Sequence, residues 1–358
     1  MNEITSNMLV ELVRRETNWL KQKISAFDGE YIIFPAGPTA QKFFHTLKDS
    51  YGIEAACFAD NNPQMKKTSI FEKPVLSFED VVSRGGAVLI PTSLEYYGQI
   101  AAQLEKAGIT AYMHSFAYEA SQHCERFISI CGLLADEKSK CAYLGAIYNL
   151  LTTSSAFIQY DENEYFGIKE FANCIYDTVV DAGAYVGDTL EEYVKRDKNG
   201  SIKIYAFEPF DEMRTKLGTR VARLKKEYPL KEDDIVIIAG GVGAENKTVK
   251  FQKKFGAMLQ PDEDGDVELQ VYQLDDYFKD KPPFTVLKAD IEGGEMDMLK
   301  GAKGMICRYK PKMAISLYHS VEEFYKIIEY VHQIAPEYRL FVRNHMFDYR
   351  ETILYCIV

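Results

Sequence analysis

Val179-Val180-Asp181-Ala182-Gly183-Ala184-Tyr185-Val186-Gly187-Asp188 decides how this chain folds. A β-branched run enters a loop holding two glycines, and a helix-forming segment follows. The run predicts a buried strand over Thr178–Ala182, and the segment after the loop predicts a helix over Thr189–Arg196. Gly183 and Gly187 allow a sharp turn and a close approach to a ligand, where a Cβ would intrude. Asp181 stands at the carboxyl end of the strand. Asp188 opens the helix, either as its cap or as a contact to the ligand. A plain strand–turn–helix corner would look the same, so one such loop does not specify a function.

A second acid lies downstream. The strand expected at Lys203–Phe207 runs into Glu208-Pro209, about 20 residues after the loop, the spacing of a carboxylate that binds ribose hydroxyls. A carboxylate can accept from both hydroxyls at once. A surface acid capping the next helix is the bland alternative. NAD would use the same geometry, but the chain has no G-x-G-x-x-G here, and its first strand ends in an acid. S-adenosylmethionine carries a sulfonium and an ammonium and no phosphate, so acids around the loop suit it better. Asp181, Gly183, Ala184, Tyr185, Gly187, Asp188, Glu208 and Pro209 are therefore the expected cofactor side.

The third element is Val286-Leu287-Lys288-Ala289-Asp290-Ile291-Glu292-Gly293-Gly294-Glu295. On a strand, Lys288 and Asp290 share a face, and Glu292 continues near it. Doubly wound sheets bind ligands at this carboxyl edge. Unpaired charges there would be costly, so Lys288 and Asp290 are expected to pair with each other or with ligand. Two histidines end later strands: His319 after Ile315–Tyr318, and His345 after Phe341–Arg343. A histidine near neutral pH can take a hydroxyl proton. His319, Glu292 and Asp290, in that order, are the candidate bases. Asp290 with Glu292 could supply oxygen ligands, but neighbouring carboxylates are common, and no metal is expected.

Around these stretches, strands are expected at Ile235–Ala239, Thr285–Asp290, Lys312–Leu317, Arg339–Arg343 and Thr352–Val358. Helices are expected at Glu212–Tyr228, Glu295–Lys303 and Val321–Ile334. Only the short stretch Asn344–Glu351 joins the last two strands, which suits an antiparallel pair because a parallel crossover needs a dozen residues or more. The fold class is thus α/β: a doubly wound sheet with an antiparallel last strand, the layout of class I methyltransferases.

With those residues in view, the second half resembles the FkbM-type methyltransferase family. VVDAGAYVGDTLEEY, IYAFEPF, VELQVYQLDDYF, VLKADIEGGEMDMLKGA and RNHMFDYRETILYCIV carry the likeness, in order, across about residues 176–358. The resemblance implies O-methylation of a hydroxyl on a sugar, polyketide or related small molecule. It assigns Asp181, Gly183, Gly187 and Glu208 to the cofactor. Asn344 stands between Arg343 and His345, where the family pattern shows an Arg followed by two ring residues.

Residues 1–118 read as a smaller Rossmann-like α/β domain with an N-terminal helix. Strands are expected at Tyr31–Phe34, Ala55–Ala59 and Ala87–Pro91, and helices at Gln41–Leu47, Phe78–Ser83 (capped by Ser77) and Glu95–Lys106. The domain is similar to nucleotide-binding-like domains of sugar-modifying enzymes, on IIFPAGPTAQKF, CFADNNP and KPVLSFEDV. Pro35 and Ala40 stand where glycines would be expected, so packing, assembly or acceptor recognition is the role read for it. Residues 119–175 read as a helical bridge with apolar positions at Leu133, Leu134, Ala142, Leu144, Ile147 and Leu150.

Bulk properties narrow the partners. A net charge of −11 over 358 residues argues against an open nucleic-acid surface. No apolar run approaches the roughly 20 residues needed to cross a bilayer. Seven cysteines without a CxxC pair fit reduced thiols in a cytoplasm. A homo-oligomer is compatible with the sequence. The expected partner is a small hydroxyl acceptor, held by strand-end loops, the stretch 256–267 and the helical bridge. Two rival functions are an NAD- or nucleotide-sugar-dependent enzyme built on the first domain, with acids around Asp60, and a non-catalytic cofactor-binding protein.

Overall fold

The computed structural model describes residues 4–25, 30–172, 178–197, 200–253, 259–261, 265 and 267–358. The chain divides into two units, one of Met1–Ile128 with Leu144–Ile158, the other of Ser129–Tyr143 with Gln159–Val358. The segment expected as a bridge is shared between them, and its principal helix is Glu137–Thr152. Among the described residues no helix is long and apolar enough to cross a membrane.

The first unit carries β1 (Tyr31–Ile33), β2 (Cys57–Ala59), β3 (Ser69–Ile70), β4 (Lys73–Leu76), β5 (Ala87–Ile90) and β6 (Tyr112–His114), in the order β3-β4-β2-β1-β5-β6. All neighbours are parallel except β3 and β4. The helix expected at Gln41–Leu47 runs further, over Pro38–Tyr51, because Pro38 is pre-set for a first turn and Gly52 takes the left-handed conformation that ends it. Ser77 caps the helix Phe78–Arg84 in a reciprocal box with Asp80. Asp60, at the end of β2, accepts from the backbone N–H groups of Ala36 at 3.0 Å and Asn62 at 2.8 Å. Its carboxylate thus ties the loop after β1 to the loop after β2.

In the second unit the strands are β7 (Thr178–Ala182), β8 (Lys203–Glu208), β9 (Ile235–Ala239), β10 (Gly241–Val242), β11 (Lys247–Lys253), β12 (Leu259–Pro261), β13 (Val267–Tyr272), β14 (Val286–Ala289), β15 (Lys312–Ser316), β16 (Arg339–Asn344) and β17 (Thr352–Ile357). Seven form the principal sheet, ordered β16-β17-β15-β14-β7-β8-β9. Only β17 runs against its neighbours, β15 and β16. The expected doubly wound sheet with an antiparallel last strand is therefore present. A second sheet, β10-β13-β11-β12, was not foreseen in the sequence. The helix expected over Glu295–Lys303 is two helices, Glu295–Gly301 and Lys303–Tyr309, separated at Ala302.

Burial explains the central position of β7 and β14. Val179, Val180, Val286 and Leu287 are wholly buried, as strands covered by helices on both faces must be. Tyr193, Val194, Leu217, Val221 and Leu224 supply one helical covering. A polar clamp holds the hairpin of β16 and β17: Asn344 donates to the Asp348 carbonyl at 2.7 Å and to Thr352 Oγ1 at 2.9 Å. Arg343 reaches Asp136 at 2.9 Å and Ser139 at 2.7 Å. Asn344, the departure noted in the sequence, thus closes the turn.

Candidate functional site

The turn after β7 is built to lie flat on its neighbours. Gly183 has φ +76°, and a Cβ there would sit 1.9 Å from the Asp290 carbonyl oxygen. Gly187, φ +80°, has the Leu217 side chain 2.5 Å from where its Cβ would be. Both glycines are thus required by backbone shape and by packing. Between them Ala184 is buried, while Tyr185 takes φ +49° and is exposed. The Gly183 and Ala184 N–H groups both donate to the Phe207 carbonyl. Asp188 is exposed, and its carboxylate accepts from the Thr189 N–H at 2.9 Å.

Glu208 joins this turn to β8. One carboxylate oxygen accepts from the Tyr185 N–H and the other from the Phe210 N–H, each at 2.9 Å. Burial raises its carboxyl above the usual range, and the two N–H donors offset part of the rise. Pro209 follows, half-buried, and Arg214 donates to the carbonyls of Glu208 and Pro209. The expected cofactor side, Asp181 to Asp188 with Glu208 and Pro209, therefore lies at one sheet edge.

Lys288 corrects one expectation. Its ammonium lies 3.1 Å from the Asp181 carboxylate and donates to the Gly183 carbonyl at 2.8 Å. Its partner is Asp181 and not Asp290, because parallel pairing of β14 with β7 sets Lys288 beside Asp181. Burial disfavours the charge on Lys288, but Asp181 and Asp290 outweigh it and hold the ammonium charged. Asp181, expected from its strand-end position to face the cofactor, is instead fully buried beside Lys288 and bears on the turn through it.

The ends of β14 and β15 bring a second group together. Tyr318 donates toward both Asp290 oxygens at 3.1 Å and toward Glu351 at 3.2 Å. One phenol proton cannot serve both carboxylates at once. Burial, with Asp290 and Glu164 nearby, pushes Glu351 up to about 7, so its own proton can complete the bridge. His319 Nε2 lies 3.4 Å from Asp290 and 3.7 Å from Glu292, and its Nδ1 lies 3.3 Å from Glu295. Burial would lower this imidazole, but Glu295, Asp290 and Glu323 outweigh it and push it up to about 9. At neutral pH His319 is then an imidazolium. With these carboxylates around it and no cation among them the ring holds its proton, which counts against the base role it was ranked first for. Glu292 is almost entirely exposed, on a residue with φ +56°.

His345 is placed differently from His319. Nδ1 bonds the Asp161 carbonyl at 2.7 Å and Nε2 bonds the Tyr355 hydroxyl at 2.8 Å. The carbonyl requires a proton on Nδ1, so Nε2 accepts from Tyr355, which in turn accepts from the Tyr165 N–H at 3.0 Å. Burial lowers its pKa. Both nitrogens are occupied in holding the segment around Asp161, so its catalytic assignment gives way to a structural one.

Tyr318, Glu295 and Glu351 were missed in the sequence. Tyr318 precedes His319 at a strand end, which was a usable signal. Glu295 and Glu351 come from a helix start and a hairpin turn, and nothing local marks them. Glu164 stands within electrostatic reach of Lys288, Asp290 and Asp188. The stretch 256–267, expected to line the acceptor pocket, lies mostly outside the described residues.

Residues 181–349 match the methyltransferase FkbM domain family. The whole chain is similar in fold to the structure of methyltransferase FkbM from Methylobacillus flagellatus KT, at 18% identity and a TM-score of 0.62, covering 98% of this chain and 100% of that one. Fibrillarin from Aeropyrum pernix, solved with natively bound S-adenosyl-L-methionine, is 14% identical with a TM-score of 0.34, covering 54% of this chain and 71% of that one. An rRNA methylase from Streptococcus thermophilus is 17% identical with a TM-score of 0.33, covering 50% and 84%. Comparison with curated proteins finds no matching sequence.

Proposed function

We propose, from the match of residues 181–349 to the methyltransferase FkbM domain family, that the protein transfers a methyl group from S-adenosylmethionine to a hydroxyl oxygen of a small molecule. The observation that carries the reading is the bond from the Tyr185 N–H to Glu208, which brings the glycine turn and the acid of the neighbouring strand to one place. The donor set fits a cationic ligand. The acids Glu164, Asp188, Glu208 and Asp290 gather at this edge, while Lys288 is committed to Asp181 and Arg214 to backbone carbonyls. No free cation among those two is left to hold a pyrophosphate, which counts against a dinucleotide.

S-adenosylmethionine, when bound, supplies a methyl group on a sulfonium that leaves as a neutral thioether. The protein's part is alignment: the turn 183–187 and Glu208 position the nucleoside end, and the group around Asp290 and Tyr318 positions the acceptor. Asp290 is the proton-handling group that the geometry favours, being partly exposed and hydrogen-bonded to Tyr318. The acceptor belongs to the sugar- or polyketide-like hydroxyl compounds that the sequence resemblance implies.

The test is calorimetry of the full chain with S-adenosylmethionine, followed by detection of S-adenosylhomocysteine on incubation with a panel of hydroxyl compounds. Binding with product supports the reading. Absence of binding overturns it, and binding without any methylated product would favour a non-catalytic cofactor-binding protein.

A further inference from the structure

We propose that Asp290, Glu295 and His319 form a site for one divalent transition-metal cation beside the methyl-transfer site, a role that rests on the function proposed above. The three residues arrive from three elements: Asp290 just after β14, Glu295 in the first turn of its helix, and His319 after β15. Each offers one ligand atom, and these atoms lie within 4.8 Å of one another. Metal–ligand bonds of about 2.0–2.2 Å place ligand atoms some 3–4 Å apart, so side-chain movements of about 1 Å close the set.

Unmet bonding capacity is the second, independent observation. Glu295 is wholly buried, and its Oε2 has no hydrogen-bond partner. His319 Nδ1 is likewise buried without a hydrogen bond, although it faces Glu295 at 3.3 Å on a side chain only 10% exposed. A buried carboxylate oxygen without a partner is costly, and a cation held between the carboxylates and the imidazole, in place of the ring proton, would give Glu295 Oε2 one. Glu295 Oε1 accepts from the Ile291 N–H at 2.8 Å, and Glu323 accepts from the His319 N–H at 3.0 Å. These bonds fix the ligand-bearing segments as supporting groups do around metal sites.

One nitrogen with two carboxylates suits Mn2+, Fe2+ or Zn2+ better than Mg2+ or Ca2+, which favour oxygen throughout. Asp290 is a quarter exposed, so the open positions of the cation face outward, where a hydroxyl could coordinate. A bound cation would lower the pKa of that hydroxyl and orient it for attack. The sequence reading paired Asp290 with Glu292; the structure replaces Glu292, at 93% exposure, with the buried Glu295.

The experiment uses the full chain, stripped with chelator, and Mn2+ alone as probe, read by the loss of the free-ion electron paramagnetic resonance signal. One Mn2+ per chain is expected, and Glu295→Gln, Asp290→Asn and His319→Gln should each weaken it about tenfold or more. Glu295→Gln keeps the side-chain shape and an acceptor for Ile291, and circular dichroism checks that each variant folds. No saturable binding by the parent chain, or equal binding by all three variants, overturns the site. Calorimetry with S-adenosylmethionine on the metal-free chain separates the outcomes: cofactor binding without Mn2+ binding removes the cation site and leaves the proposed function standing.

Discussion

Lys288 and Asp181 face each other across two neighbouring parallel strands, ammonium 3.1 Å from carboxylate, with side-chain exposures of 5% and 0%. Removing one partner strands the other charge in the sheet. Lys288→Met is expected to destabilise the second unit by about 3–5 kcal/mol, while Lys288→Met with Asp181→Asn recovers much of that loss. Urea unfolding of the three proteins checks this. Equal midpoints for the parent and the single variant would show that the pair is not what balances these charges.

The Glu208 oxygens hold the Tyr185 and Phe210 N–H groups, and the proposed function gives the same carboxylate a second task, the cofactor's ribose. Glu208→Ala should weaken S-adenosylmethionine binding by about 1–3 kcal/mol, and Glu208→Gln, which keeps one acceptor oxygen, by less. Calorimetry reads both. If Glu208→Ala binds as tightly as the parent, the carboxylate is not part of the cofactor site.

His319 lies among the carboxylates after β14 and β15, and the hydrogen bonds that shape the turn 183–187 do not involve it. As a ligand of the proposed cation, His319 is expected on replacement by Ala to lower turnover about tenfold or more with near-normal cofactor affinity. Turnover equal to that of the parent would remove His319 from the acceptor side.

The strands that frame the site were legible because they are short β-branched runs between turn residues, and β7 and β9 begin and end where such runs do. Lys288 was also read as a site residue, but its partner was not. Alternation along a single strand sets Lys288 and Asp290 on one face, whereas the bond to Asp181 depends on the register of β14 against β7, residues more than a hundred positions apart. Glu295 and His319 meet for the same kind of reason. The sheet of β10 to β13 was missed because its strands carry charged and polar residues, such as Lys247, Lys250, Glu268 and Gln270, that blur the apolar pattern. His345 was misread because a strand-end histidine looks the same whether its ring faces a ligand or, as here, a carbonyl and a tyrosine hydroxyl.

In the first unit His114 is buried at the end of β6, with Nε2 bonded to the Thr92 carbonyl at 2.7 Å and Nδ1 accepting from the Phe116 N–H at 3.1 Å. Both bonds call for the neutral ring, and burial lowers its pKa from 6.5 to about 4. The unfolded chain then takes up a proton near pH 6.5 that the folded chain refuses until about pH 4. Between those values the unfolded state binds more protons, so stability falls as pH falls, by roughly 3 kcal/mol at the lower limit, and is unaffected by this residue above pH 6.5. Thermal melting of the parent and of His114→Gln across this window checks the sign. An amide can still donate to Thr92 and accept from Phe116, and it does not titrate, so the variant should lose much less stability on acidification. Parallel pH profiles for the two proteins would show that some other group governs the acid sensitivity of this unit.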